Sequence, residues 1–498
     1  MLVPMDMLIG DVVRRNAEVV PRGVAASMGA HALNYAQLDG AANRLAAVLI
    51  GIGIGRGDRV LAWADTALDV LPLFVACAKL GAVFAPLNAR HGPAEAQPVA
   101  ALARARLLVA DAERVEAARA FLADAGVPQL ARFGGAGPEL DFSLGAQGTT
   151  PAPPALPEAL RETDPHVLFF TSGSTGRPKG VVLSHRASYL RGFQGVFRDV
   201  PERSVCMFPL FHMAAFTLAI AAWQTRGEIA LVETASADAL LGAVERRRAN
   251  RLYAIPAVWA RILETDPGKW DTASLREADT GTSAVPIELV RALKDRFPTS
   301  ATRIYYGSTE AGSGTTLPDA DVLRKPGSVG PPSPGVDLRL GGGGEILLRS
   351  AYLFDGYFGD PAASSAALCD GWYHTGDLGE LDGDGHLHVV GRMKELIRSG
   401  GETITPAEVE ACLAAHPDVV EVAVIGLPDR DWGEVVCAVV VARSGVTLTL
   451  EALQRHCEGR LAGFKKPRRL ECVPELPRTA ATGQVQRALL VERISTRS

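Results

Sequence analysis

The sequence predicts a large N-terminal α/β domain followed by a small α+β C-terminal domain. Three observations carry that expectation. Short apolar runs alternate with longer amphipathic stretches through most of the chain, the pattern of helices wound around a buried sheet. After about Gly330 the texture changes to short strands and turns. A chain of 498 residues also exceeds one core, at roughly 100–200 residues per domain.

In chain order, Asn34 is placed to cap a helix, with Gln37 three residues on and Leu38, Ala42, Leu45 and Leu49 along one face. Val60–Trp63 reads as a strand, Ala67–Leu80 as a helix, and Val83–Pro86 and Leu107–Ala110 as further strands. The Pro-rich stretch Thr150–Pro157 reads as a surface connection. Val167–Phe170 and Val181–Leu183 are two short buried strands, and Ile229–Val232 is another. Gly341–Gly344 and Asp382–Gly385 have the composition of hairpin turns. A calcium loop opening at Asp382 is rejected because Met393 stands at its twelfth position. Thr405, Pro406 and Glu408 predict a capping box for a helix running to Ala415. Strands Glu421–Ile425 and Val435–Val441 and a helix near Leu450–Leu461 complete the small domain. Its boundary falls near Gly391–Lys394, dividing the chain into 1–391 and 392–498.

Composition excludes several classes. A net charge of −5 with mixed signs argues against nucleic acid as a main partner. No apolar run approaches the ~18–20 residues that span a bilayer. The first sixteen residues lack the basic end and apolar core of a secretory signal, and Arg14–Arg15 lacks the apolar segment of a twin-arginine signal. Seven scattered cysteines without a C-x-x-C pair suit reduced thiols. The default expectation is a cytoplasmic enzyme with no membrane span.

The most concentrated chemistry is Thr171–Ser172–Gly173–Ser174–Thr175–Gly176–Arg177–Pro178–Lys179–Gly180. Three glycines, four hydroxyl residues and two cations occupy ten positions between two strands. Glycines let backbone approach an anion closely, and clustered amides, hydroxyls and Lys179 suit a phosphate. It is not a Walker loop, since Pro178 sits where that pattern needs glycine and no helix follows directly.

These ten residues resemble the phosphate-binding signature of the adenylate-forming superfamily, which includes acyl-CoA synthetases, luciferases and peptide-synthetase adenylation domains. The resemblance extends from about residue 10 to 490 and implies the adenylate-forming fold. Phe208–His212 resembles the aromatic-His segment at the junction of the acyl and CoA tunnels, where His212 would orient the carboxylate or line the thiol's approach. Gly281, Thr282 and Ser283 open the segment that lines adenine and the acyl pocket. In Tyr305–Tyr306–Gly307–Ser308–Thr309–Glu310, the resemblance gives Tyr306 the adenine stack, Thr309 the α-phosphate and Glu310 the magnesium ion. It gives Asp377 and Arg392 the ribose hydroxyls and Lys394 the hinge. Gly400 and Gly401 belong to the loop lining the pantetheine channel. The run Gly426–Glu434 resembles acyl-CoA synthetase small domains and favours CoA as acceptor. The acid is not readable beyond an apolar pocket suggested by Met207, Met213 and Phe216.

One departure matters. The family's last motif reads Pro-Arg-Thr-x-x-Gly-Lys, whereas this chain has Pro477–Arg478–Thr479–Ala480–Ala481–Thr482–Gly483–Gln484. Gln484 stands where the lysine belongs, and Arg487 matches a separate basic position. Losing such a preorganised cation typically costs on the order of 10²–10³ in rate. The leading expectation is therefore an enzyme that joins a preformed acyl-adenylate to CoA, releasing AMP, with a separate adenylating enzyme upstream. A complete synthetase using ATP, Mg²⁺ and a hydrophobic carboxylic acid is the alternative. A nucleotide- or acyl-binding pseudoenzyme is the third.

Overall fold

The structure is a computed structural model that describes residues 6–144, 159–172, 178–193, 199–479 and 483–495. The chain divides into two compact units. The first comprises Met1–Gly327, Pro332–Asp337 and Arg349–Tyr373, and the second Ser328–Pro331, Leu338–Leu348 and His374–Ser498. As the sequence predicts, a large N-terminal α/β domain is followed by a smaller C-terminal one.

The first unit is built on two eight-stranded sheets. In one, Arg59–Trp63 lies between Val83–Pro86 and Leu107–Asp111, all parallel. These strands are buried along nearly their whole length, so they read as continuous apolar runs. The same sheet continues through Pro165–Ser172 and Pro178–Ser184 to the short edge strand Gly356–Tyr357. The other sheet carries Arg203–Cys206, Arg251–Tyr253 and Glu277–Gly281 in parallel, then Ile304–Ser308 and the antiparallel Gly312–Leu317.

The Asn34 box forms as expected. The Gln37 amide donates to Asn34 Oδ1 at 2.8 Å, and the Asn34 amide donates to Gln37 Oε1 at 2.9 Å. The next helix is shorter than expected, spanning Val70–Leu80. Asp69, at its start, makes no capping bond, and its Oδ1 accepts from the distant Leu144 amide at 2.7 Å.

In the second unit, Glu402–Ile404, Ile397–Ser399, Gly433–Ala442 and Val419–Asp429 form one sheet, with Arg469–Cys472 parallel to Gly433–Ala442. Strand alternation sends Val424, Val436 and Ala438 to a cluster with Val409 and Leu413, and Ala423, Ile425 and Cys437 to one with Leu476 and Leu490. The helix Pro406–Ala414 is present, but the Thr405 side chain makes no capping bond. Glu408 is drawn instead to Lys465 Nζ, 2.7 Å from both its oxygens. At the Asp382 turn, Oδ1 accepts from the amides of Asp384 (2.9 Å) and His386 (3.0 Å), a turn role rather than a metal one. Among the described residues, no helix is long and apolar enough to cross a membrane.

Candidate active site

In the first unit, Thr171 and Ser172 end one strand and Pro178 and Lys179 begin the next. Thr171 lies opposite Lys179, and Ser172 opposite Pro178. Gly173, Ser174, Thr175 and Gly176, the tip of this hairpin, lie outside the described residues. The neighbouring strand pairs Tyr357 with Val181, which brings the Tyr357 ring to 4.3 Å from Lys179 Nζ. The Tyr357 hydroxyl donates to Glu310 Oε1 at 3.0 Å. A cation from one motif and a carboxylate from another therefore share one tyrosine.

Glu310 and Thr309 follow the strand Ile304–Ser308 in a tight connection to Gly312–Leu317. Gly307 must be glycine, since a Cβ there would lie 1.9 Å from the Gly312 carbonyl oxygen. Arg191, on the helix His185–Gly192, clamps this connection from beneath. Its guanidinium donates to the carbonyls of Thr309 (2.7 Å), Glu310 (2.7 Å) and Tyr352 (2.8 Å). Arg191 is only 5% exposed, and burial lowers its pKa to about 10, leaving it charged at neutral pH. Arg191 and Tyr357 are the two residues the motifs did not point to. An arginine on a short polar helix reads as solvated, and nothing local announces its buried contacts.

Tyr305 belongs to a row of rings. It lies 5.8 Å from Tyr253, which lies 5.5 Å from Phe208, which stacks on His212 at 5.1 Å. His212 precedes the helix Met213–Gln224, and its Nδ1 accepts from the Ala214 amide at 3.2 Å. That bond leaves the neutral ring's proton on Nε2. Burial pushes the His212 pKa down to about 4, so the ring is uncharged at neutral pH. Gly281 has φ +155°, and a Cβ there would lie 2.2 Å from the Tyr305 carbonyl oxygen and 2.6 Å from the Tyr253 hydroxyl. Thr282 follows at φ +70°, a left-handed conformation that costs a non-glycine residue roughly 1–3 kcal/mol. Ser283 is exposed, and Tyr306 is half-buried.

In the second unit, Asp377 and Arg392 face each other across antiparallel strands, with Nε 3.0 Å from Asp377 Oδ1. Gly376, at φ +70°, turns the chain before them, and its amide donates to Glu345 Oε1 at 3.1 Å. Lys394 is exposed in the 3₁₀ turn Met393–Glu395. Gly400 and Gly401 have φ +60° and +85°. The Gly400 amide donates to the Trp432 carbonyl at 2.9 Å, and a Cβ would strike the Trp432 ring at 2.7 Å, whereas Gly401 faces open space. The Gln484 amide donates to Thr479 Oγ1 (3.1 Å), and its carbonyl accepts from the Thr479 amide (2.7 Å). Arg487 is bound at 3.0 Å to Glu395 and at 2.8 Å to Glu410.

Residues 13–358 match the AMP-binding enzyme family, and residues 408–482 match the AMP-binding enzyme C-terminal domain. Feruloyl-CoA synthase of an Amycolatopsis species is 36% identical, over 95% of this chain and 97% of its own length. Indoleacetate–CoA ligase of Aromatoleum aromaticum is 35% identical, over 95% and 96%. The solved structure of ATP-bound MatB from Rhodopseudomonas palustris superposes with a TM-score of 0.86 at 29% identity, covering 99% of each chain. On these grounds the chain belongs to the AMP-binding enzyme family, in its acyl-CoA ligase branch.

Proposed function

We propose that the chain is a complete ATP-dependent acyl-CoA synthetase acting on a hydrophobic carboxylic acid. In the first step a carboxylate oxygen attacks the α-phosphorus of ATP and pyrophosphate leaves. In the second a CoA thiol attacks the acyl carbonyl of the adenylate and AMP leaves. The observation that carries this reading is the convergence of Lys179 and Glu310 on Tyr357. A cation for phosphate beside a carboxylate for a metal is what a triphosphate requires, and an enzyme limited to the second step has little use for the carboxylate. Mg²⁺ takes one or two carboxylates together with substrate phosphates, and Glu310 fits that demand. When bound, the ion offsets charge on the departing pyrophosphate.

The remaining roles are those that the resemblance to the adenylate-forming superfamily implies. Thr171, Ser172, Gly173, Ser174, Thr175 and Gly176 would cradle phosphate, and Thr309 would donate to the α-phosphate. Tyr306 would stack on adenine, while Gly281, Thr282, Ser283 and Gly307 keep the neighbouring backbone close to the ligand. Asp377 and Arg392 would hold the ribose hydroxyls. Neutral His212 would donate from Nε2 to the acid or the incoming thiol. Gly400 and Gly401 would border the pantetheine arm of CoA, after rotation of a domain beginning near residue 392 about Lys394. Of the relatives, two are named for aromatic acids, ferulic and indoleacetic, and others for a long-chain fatty acid and a bicyclic propanoate; the row from His212 to Tyr305 is a suitable wall for an aromatic group.

The expectation of a thioesterification-only enzyme draws no support from the relatives, which are named as CoA synthases and ligases. It survives as a second reading on one observation, Gln484 at the expected lysine position, with Arg487 already committed to Glu395 and Glu410. One pair of assays separates the readings. Acid plus ATP is expected to release pyrophosphate, and synthetic acyl-adenylate plus CoA is expected to give thioester. Thioester formation without any acid-dependent pyrophosphate release would overturn the complete synthetase and require a separate adenylating enzyme. Failure of both would leave a binding protein.

A further inference from the structure

We propose that Tyr357 is a positioning residue that ties Lys179 to Glu310 through the two faces of one side chain. The inference rests on the ATP-dependent reading above. Its backbone is fixed first: Tyr357 pairs with Val181, its amide donates to Ser364 Oγ at 2.8 Å, and Phe354 packs on its ring at 4.9 Å. The ring then offers its face to Lys179 Nζ, an attraction that grows as the pair is desolvated. The hydroxyl offers its proton to Glu310 Oε1. Glu310 is meanwhile held at its carbonyl by Arg191 and by the Phe354 amide at 2.8 Å. Only its carboxylate is left to be oriented, and Tyr357 does this. The tyrosine thus sets the distance between the group that meets phosphate and the group that meets the metal.

Two variants of the full chain separate the two contacts. Tyr357→Phe removes one oxygen and keeps the ring, whereas Tyr357→Leu removes both. Mn²⁺ binding in the presence of ATP, followed by electron paramagnetic resonance, reads the carboxylate; calorimetric ATP binding without divalent ions reads the lysine. Tyr357→Phe is expected to weaken Mn²⁺ binding about tenfold, the worth of one hydrogen bond to a charged group, and to leave metal-free ATP binding within about twofold. Tyr357→Leu is expected to weaken both. If Tyr357→Leu fails to fold, Tyr357→Phe carries the test alone. Unchanged Mn²⁺ binding by Tyr357→Phe, beside a wild type that binds Mn²⁺ and ATP, overturns the tyrosine's role only. A wild type that binds neither overturns this inference together with the function it rests on.

Discussion

The connection carrying Thr309 and Glu310 is held from inside the first unit by a buried guanidinium that donates to three carbonyls. The segment carrying Gln484 in the second unit is held by its own backbone, with the exposed Arg478 reaching the Gly483 carbonyl at 2.8 Å. A buried charge with fixed acceptors admits one geometry, because any shift leaves a desolvated group unpaired. The Gln484 backbone is half-buried and closes on Thr479 through neutral groups, whose bonds cost less to shift.

Four substitutions or conditions bear on that contrast. The largest effect is expected from Arg191→Ala, which leaves three carbonyls without their donor at about 1–3 kcal/mol each. A loss of at least about 3 kcal/mol in denaturant unfolding is expected, and Arg191→Lys should recover only part of it. Wild-type stability in Arg191→Ala would mean that the clamp is dispensable. Next, Gln484→Lys combined with deletion of Ala480 or Ala481 should raise acid-dependent pyrophosphate release, on the order of 10²–10³-fold if the missing cation limits adenylation. An unchanged rate in a folded protein would locate the limit elsewhere.

Acid should act on the first unit through His166 and His185. Both are fully buried and stacked at 4.8 Å, and burial lowers the pKa of each, that of His185 to about 4. Their unfolded forms bind protons near pH 6.5 while the folded forms do not, so stability falls as pH drops below 6.5 towards 4. The loss should be about 1 kcal/mol per ring over the first pH unit below 6.5 and should approach about 1.4 kcal/mol per further unit. Replacing His185 with an apolar residue should flatten that slope in melts taken between pH 7 and 5. The smallest effect concerns the paired glycines of the second unit. Gly401→Ala should cost about 1–2 kcal/mol for its left-handed backbone alone. Gly400→Ala should cost more, because its Cβ also meets Trp432. Equal costs in urea titrations would remove Trp432 from the account.

Much of the scaffold was legible. The Asn34 box, the parallel strands around Arg59–Trp63 and the hairpin at Thr171–Lys179 all depend on residues near one another in the chain, where spacing constrains geometry directly. The Asp377–Arg392 pair was legible as two motifs with a shared ligand, and strand register places the side chains side by side. The Thr405 box has the same local pattern as the Asn34 box, yet it does not form. There the Glu408 carboxylate reaches Lys465 rather than the Thr405 amide. At the helix that begins at Val70, Asp69 instead accepts from the backbone amide of the distant Leu144.

By itself the sequence outlined most of the strands and helices, and its motifs nominated most of the groups proposed for the site, though not Arg191 or Tyr357. Apolar periodicity, turn residues and motif composition act over a few residues, and chain stiffness transmits them without help from the rest of the fold. Only the tertiary structure decided that Lys179 and Glu310 meet at Tyr357, and that Arg191 spends its charge on backbone carbonyls. Those choices depend on which distant groups the sheets bring within about 3 Å, where a hydrogen bond becomes strong and a missing partner becomes costly.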